Sequence, residues 1–276
     1  MKSEDRSQKS EVRSMKRQIE LFFAALMFYT RIPCPKKVDC SNVDLNQASR
    51  YYPLAGIIVG AISFLIYWGA SLLFGNAIAV VASLIAGVLT TGAFHEDGFA
   101  DTFDGFGGGW TKEKILEIMK DSRIGTYGTV ALILLFALKI VSLYILLPKL
   151  EKEGWSMLFL FFIMYHSLAR LTSGNIVFIS QYARDDLTSK VKPVEKHATR
   201  TEIIISYVLG LTPLTIFAII NPIVSIVLLP LFLLIVKGNR YFKKWINGYT
   251  GDCLGCVEQL AEAIIMLTFV AIWKFM

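Results

Sequence analysis

The stretch His95-Glu96-Asp97-Gly98-Phe99-Ala100-Asp101-Thr102-Phe103-Asp104-Gly105 has residue types and spacing suited to chemistry on phosphate. It begins where a long apolar run ends. If the helix of that run continues through it, Asp97, Asp101 and Asp104 stand at i, i+4 and i+7. At about 100° per residue they fall within an arc of roughly 60°, stacked over two turns. Carboxylates one turn apart repel and weaken a helix, so the stripe calls for a counterion. A hard divalent cation with oxygen ligands, Mg²⁺ or Mn²⁺, is the natural one. Such an ion can hold pyrophosphate oxygens and stabilise charge on a leaving phosphate. A carboxylate off the metal can take the proton of an attacking hydroxyl. Gly98 and Gly105 would let a phosphate ligand approach the backbone. The bland alternative is a solvated acidic loop, which three aspartates in register disfavour. His95 falls on the far side of the helix and reads as a hydrogen-bonding neighbour.

Two further segments carry compatible chemistry. Lys120-Asp121-Ser122-Arg123-Ile124-Gly125-Thr126-Tyr127-Gly128 offers two cations, two hydroxyls and two glycines, a plausible phosphate cradle. Alone it reads slightly better as an interfacial anchor, and the neighbouring acids tip it towards anion binding. Thr250-Gly251-Asp252-Cys253-Leu254-Gly255 opens a helix with a glycine turn, a place for phosphate or a metal-bound carboxylate, although Asp252 could simply be an N-cap. Arg31, in Thr30-Arg31-Ile32-Pro33, and Arg184, in Gln181–Asp186, stand at membrane edges as anchors or ligands. Arg170 needs a partner inside the bundle, and Glu262 lies a turn inside the last span as site lining.

The elements that must position these groups are membrane helices. The chain is 54% hydrophobic and 18% charged over 276 residues, too apolar for a soluble protein of its length. Apolar runs at 53–74, 76–94, 129–147, 155–180, 203–219, 222–236 and 259–276 give about seven crossings, with the sixth run short. Leu21–Tyr29 is shorter and flanked by Arg17 and Arg31, which suits an interfacial or re-entrant helix. Residues 1–18 read as a charged cytoplasmic tail, and 19–276 as one all-α polytopic membrane domain. No signal peptide is expected. Lys and Arg gather in the N-terminus and in alternate loops, which places those loops, and the motifs in them, on the cytoplasmic face. The net charge of +6 reflects this sidedness and needs no nucleic-acid partner. Cys253 and Cys256 could form half of a zinc site with Cys34 and Cys40, but the latter spacing is loose and no His assists, so plain small residues are the better reading.

The motifs His95-x-Asp97-Gly98-x-Ala100-Asp101-x-x-Asp104-Gly105, Met119–Gly128 and Thr250-Gly251-Asp252-x-Leu254-Gly255 resemble those of the cobalamin synthase family, the adenosylcobinamide-GDP ribazoletransferases. Thr30–Pro33 and Tyr52–Gly56 are similar as well, and the resemblance runs from about residue 20 to the C-terminus. It implies a Mg²⁺-dependent enzyme of a prokaryotic inner membrane that joins adenosylcobinamide-GDP to α-ribazole or its 5′-phosphate and releases GMP. It further implies that Asp97, Asp101 and Asp104 hold the metal or activate the hydroxyl, with His95 beside them and Glu96 as a further candidate ligand. Lys120, Asp121, Ser122, Arg123, Thr250, Gly251 and Arg31 would bind substrate, and Asp252 would complete the metal site. A homo-oligomer, or association with other cobalamin-assembly enzymes, is compatible with it. Two positions depart from the family pattern: Glu96 where an apolar residue is usual, and Cys256 where a small residue is.

Two other readings compete. A CDP-alcohol phosphatidyltransferase also displaces a nucleotide at a membrane edge, but its pattern places Arg after the alanine, where Asp101 stands. A cation transporter would carry ionisable residues near mid-membrane, and Lys139, Arg170 and Glu262 keep it in view.

Overall fold

The computed structural model describes residues 2–40, 43–183 and 198–275, with side chains from residue 15 onward. Arg184, Asp185 and Asp186 lie outside the described residues. The architecture is all helical: α1 (Lys2–Tyr29), α2 (Leu45–Ala48), α3 (Tyr52–Phe74), α4 (Asn76–Thr91), α5 (Phe94–Gly108), α6 (Lys112–Ile118), α7 (Thr126–Glu153), α8 (Trp155–Ile179), α9 (Arg200–Ile220), α10 (Leu228–Ile246) and α11 (Gly251–Phe275). Among the described residues six helical segments are long and apolar enough to span a bilayer, and the α4–α5 pair makes a seventh if counted as one broken span. The chain is therefore a polytopic helical membrane protein. The short sixth run is completed by residues after it: a 3₁₀ turn at Pro222–Val227 leads into α10, and the span reaches Ile246. Lys237, Arg240, Lys243 and Lys244 thus ride on a helix rather than in a loop. Helix α1 is continuous from Lys2, joining the charged segment to the short apolar one.

Helix α8 is the axis of the bundle, buried along 89% of its apolar window, and α11 lies beside it at 67%. Apolar residues such as Leu73 on α3, Leu134 on α7 and Leu229 on α10 face outwards, as lipid-facing positions should. Close approach of α3 to α8 rests on Gly56 and Gly60. A β-carbon on Gly56 would stand 2.6 Å from the His166 carbonyl oxygen, and one on Gly60 2.5 Å from that of Phe162. This is the small-xxx-small device by which membrane helices bring their backbones together.

Helices α3, α9 and α11 begin, and α8 ends, at the same end of the bundle. There the loop after α8 pairs with the loop before α11: Ala183 N donates to Tyr249 O at 2.8 Å, and Tyr249 N to Gln181 O at 3.0 Å. Arg50, ahead of α3, forms a buried ion pair with Glu202 in the first turn of α9. The end of the bundle that carries the motifs is thereby tied down.

Candidate active site

The second apolar run does not continue straight into the acidic segment. Helix α4 stops at Thr91, and α5 leaves at 88°. The turn is made by Gly92 (φ 69°) and Ala93 (φ 58°), both left-handed. Glycine is the usual residue at such a helix end, whereas alanine meets a steric penalty there, and such strain persists only where packing enforces it. Arg31 supplies part of that packing: its backbone N donates to Thr90 O at 2.7 Å, and its side chain lies across Gly92 where a β-carbon would collide with it. Arg31 thus braces the bend and remains exposed.

Because α5 is helical throughout, the aspartates keep their common face. Asp97 is exposed, Asp101 half-buried and Asp104 buried. The adjoining face packs on α11 through two glycines. A β-carbon on Gly98 would come within 2.9 Å of Asp252 Cα, and one on Gly255 within 2.8 Å of the His95 carbonyl oxygen. That crossing brings the first turns of α5 and α11 together, and with them Asp97 and Asp252, onto the wall of one cavity.

Asp104 has a different employment. Its two carboxylate oxygens accept from Gly125 N at 2.7 Å and Gly128 N at 2.9 Å, the free amides at the start of α7. The carboxylate so anchors the Lys120–Gly128 loop to the acidic helix. In that loop Lys120, Ser122 and Arg123 are exposed. Arg123 donates to Asp121 through Nε at 3.0 Å and Nη2 at 2.6 Å. These bonds hold the Asp121 carboxyl down at about 2.

The cavity, of about 330 Å³, opens at the motif-bearing end. Its walls are largely aromatic, with Tyr29 stacked on Tyr52 at 4.0 Å between ring centroids. Gly251 and Asp252 line it; Thr250 does not. Thr250 is fully buried, and its hydroxyl accepts from Cys253 N at 3.3 Å, so the N-cap of α11 is Thr250 and not Asp252. A direct substrate contact by the Thr250 side chain is therefore not what the structure shows.

Glu96 also turns away from the stripe. One residue along a helix is a rotation of about 100°, and Glu96 consequently points into the bundle, where it accepts from Gln259 Nε2 at 3.1 Å. It belongs to a buried ionic core. Lys139 on α7 contacts Glu262 at 2.7 Å and Gln259 at 2.5 Å. His166 meets Glu262 at 2.8 Å, and Arg170 meets Glu258 at 2.9 Å. His95 reaches this core on one side, 4.0 Å from Glu258, and shares a 2.8 Å hydrogen bond with the Tyr52 hydroxyl on the other. Lys139, Arg170 and Glu262 stand out singly in the sequence; Glu258, Gln259 and His166 do not. The available signal was the i, i+4 spacing of His166 with Arg170 and of Glu258 with Glu262 inside apolar helices. The intramembrane charges are engaged with one another, which removes the observation that favoured a transporter.

Among the described residues no three His, Cys, Asp or Glu side chains converge as a ready-made metal cage. The Cys34 and Cys40 sulfurs lie 3.5 Å apart, while Cys253 and Cys256 are buried in α11. The carboxylates at the cavity nonetheless fit Mg²⁺. That ion dehydrates reluctantly and is usually held by one or two carboxylates together with waters and substrate phosphates. Asp97 and Asp252 on one wall, with Asp101 a turn further along α5, are such a set.

A polytopic helical membrane protein with oxygen donors gathered at the mouth of an aromatic cavity suits phosphoryl-group transfer at a membrane edge. The chain belongs to the cobalamin-5-phosphate synthase family, whose model matches residues 21–270. It is 41% identical over 260 residues to an adenosylcobinamide-GDP ribazoletransferase of Shewanella frigidimarina, covering 93% of this chain and 96% of that one. To the protein of the same name from Shewanella baltica it is 40% identical over 262 residues, 92% and 95% of the two chains. To that of Shewanella putrefaciens it is 39% identical over 270 residues, 95% and 98%. No solved structure matches.

Proposed function

We propose that this chain joins adenosylcobinamide-GDP to α-ribazole, or to its 5′-phosphate, with release of GMP, at the cytoplasmic face of a prokaryotic inner membrane. The observation that carries the reading is the glycine-mediated crossing of α5 and α11, which puts Asp97 and Asp252 on one cavity wall in a chain of this family. In the reaction a ribazole hydroxyl oxygen bonds to the cobinamide-side phosphorus. The bond from that phosphorus to the bridging oxygen breaks, GMP leaves with the electron pair, and the hydroxyl proton is released.

Asp97, Asp101 and Asp252 would hold Mg²⁺, which when bound supplies positive charge to the pyrophosphate oxygens. A carboxylate of this set that is off the metal accepts the hydroxyl proton. Asp104 holds the Lys120–Gly128 loop against α5, and Lys120 and Arg123 offer cations to phosphate from it. For Arg123 this requires exchanging Asp121 for the substrate, an exchange that an exposed pair permits at little cost. His95, held between Tyr52 and Glu258, fixes the rotation of α5 about its axis and hence the direction of Asp97.

The test uses purified protein in lipid nanodiscs with both substrates, with and without Mg²⁺, following GMP and cobalamin by chromatography. Product should require the metal and should fall at least about 100-fold in Asp97→Asn and Asp252→Asn, the lower range for loss of a catalytic proton acceptor. Folded protein that makes no product under any of these conditions would sink the assignment.

A further inference from the structure

The two substrates differ greatly in size and shape, and the volume of the cavity matches the smaller of them. At about 330 Å³ it is at the lower end of the range that encloses a drug-sized molecule. A benzimidazole nucleoside is of that size; a corrinoid is several times larger. The wall chemistry points the same way. Tyr29, Tyr52, Phe94, Phe178 and Tyr249 line the space, and Arg170 lies behind Tyr52, 5.9 Å from its ring centroid. Flat heteroaromatic bases stack on such faces. Among the described residues no Lys or Arg lines the cavity, and the acidic ones that do are Asp97 and Asp252. Without the metal, a pyrophosphate drawn into the cavity would meet two carboxylates and no cation among the described side chains, whereas the uncharged base of the smaller substrate meets no such cost.

We infer that the cavity is the α-ribazole site, with the base stacked among the aromatic rings and the ribose hydroxyls directed to Asp97 and Asp252, while the corrinoid and its pyrophosphate remain at the mouth. This rests on the transfer reading above and divides its two substrates between two places. Binding of the nucleoside then needs neither metal nor corrinoid. It also places the nucleophile ahead of the phosphorus, with the carboxylates between the enclosed and the open part of the site.

Gly174 on α8 provides the probe. It lines the cavity, and a β-carbon there would meet a single neighbouring atom, Phe178 Cζ, at 4.0 Å. The β-carbon of Gly174→Leu therefore displaces no backbone, the rest of the side chain adds bulk at the cavity wall, and leucine favours the helix over glycine. The KM for α-ribazole should rise at least about tenfold, as for a ligand denied part of its pocket. The KM for adenosylcobinamide-GDP should change less than about twofold. Phe178→Leu, which removes a ring instead of adding bulk, should shift the same constant in the same direction.

Equilibrium dialysis of α-ribazole alone, without Mg²⁺ or corrinoid, separates this inference from the reaction. Wild-type protein that binds it, with binding weakened in Gly174→Leu, supports the site even if no product forms, and absent product would then count against the transfer reading alone. Active wild-type protein in which Gly174→Leu raises the KM for adenosylcobinamide-GDP, or neither KM, while its thermal midpoint is kept, overturns the inference. So does failure of wild-type protein to bind α-ribazole by itself.

Discussion

Gly98→Ala is a one-carbon test of the geometry on which the site depends. The added β-carbon would stand 2.9 Å from Asp252 Cα and 3.0 Å from Asp252 O. Relaxed carbon–carbon contacts lie near about 3.5–4.0 Å, so α5 and α11 must separate by about 0.5–1 Å at the point where Asp97 and Asp252 meet the cavity. Overpacking of this kind costs about 1–3 kcal/mol, and the better helix propensity of alanine returns up to about 1 kcal/mol. The net loss of stability therefore lies between about 0 and about 3 kcal/mol, which leaves folded protein to assay. The effect on rate is larger, because displacing reacting groups by about 1 Å costs on the order of 10²-fold.

The assay is the transfer reaction in nanodiscs across a Mg²⁺ titration, with thermal unfolding of the same preparation. A fall in kcat/KM of about 100-fold, with the thermal midpoint lowered by only a few degrees, is expected. Gly69→Ala on α3 is the control, since a β-carbon at Gly69 would touch nothing within 4 Å. If Gly98→Ala keeps kcat/KM within about threefold of wild type, the α5–α11 spacing does not set the catalytic geometry, and the reasoning fails.

Three other outcomes follow from the contacts. Lys139→Met leaves Glu262 in the bundle core without its 2.7 Å partner and should destabilise the protein by about 3–5 kcal/mol, with the double variant Lys139→Met/Glu262→Gln recovering part of the loss in thermal unfolding. Asp104→Ala should cost about 1–3 kcal/mol by stranding the Gly125 and Gly128 amides, and hydrogen exchange at those two amides should accelerate more than in the rest of α7. The Asp121 carboxyl is depressed from 3.8 to about 2 by Arg123, so the pair is complete above the ordinary carboxylate range and is lost only as pH falls through about 2. Any inflection of activity between about pH 5 and about pH 9 must then belong to other groups, and Asp121→Asn should leave it unmoved.

Much of the site is legible in the sequence because a helix preserves register. Asp97, Asp101 and Asp104 share a face whether α5 continues α4 or starts afresh, so the stripe holds across an 88° bend that the apolar pattern does not announce. The bend is silent in the sequence for a physical reason. It depends on Ala93 in a left-handed conformation that alanine does not favour by itself, and on Arg31 arriving from the end of α1 to brace it. Local propensity cannot report a conformation imposed by tertiary contact. The span count is legible from runs of about 20 apolar residues; it departs at the second run, which spans only if α4 and α5 count as one broken element, and at the sixth, whose helix continues under lysines and arginines that look like loop.

Roles within the acidic segment are not legible, because residue type is silent about what faces it. Asp97 and Asp104 are the same residue on the same helical face, yet one borders open space and the other closes the N-terminus of α7. Glu96 adds a carboxylate next to Asp97 in sequence and none next to it in space, since a rotation of about 100° delivers it to Gln259 and the ionic core. That core has a consequence for the site. Glu258 and Glu262 lie one turn apart on α11, the helix whose first turn carries Asp252, and their cationic partners sit on α7 and α8. Breaking buried pairs of this kind is strongly unfavourable, so α11 is held against rotation and translation relative to both neighbours. The ions inside the bundle thus set the position of a carboxylate at its surface, which is why a site built on two crossing glycines can keep its spacing in a fluid bilayer.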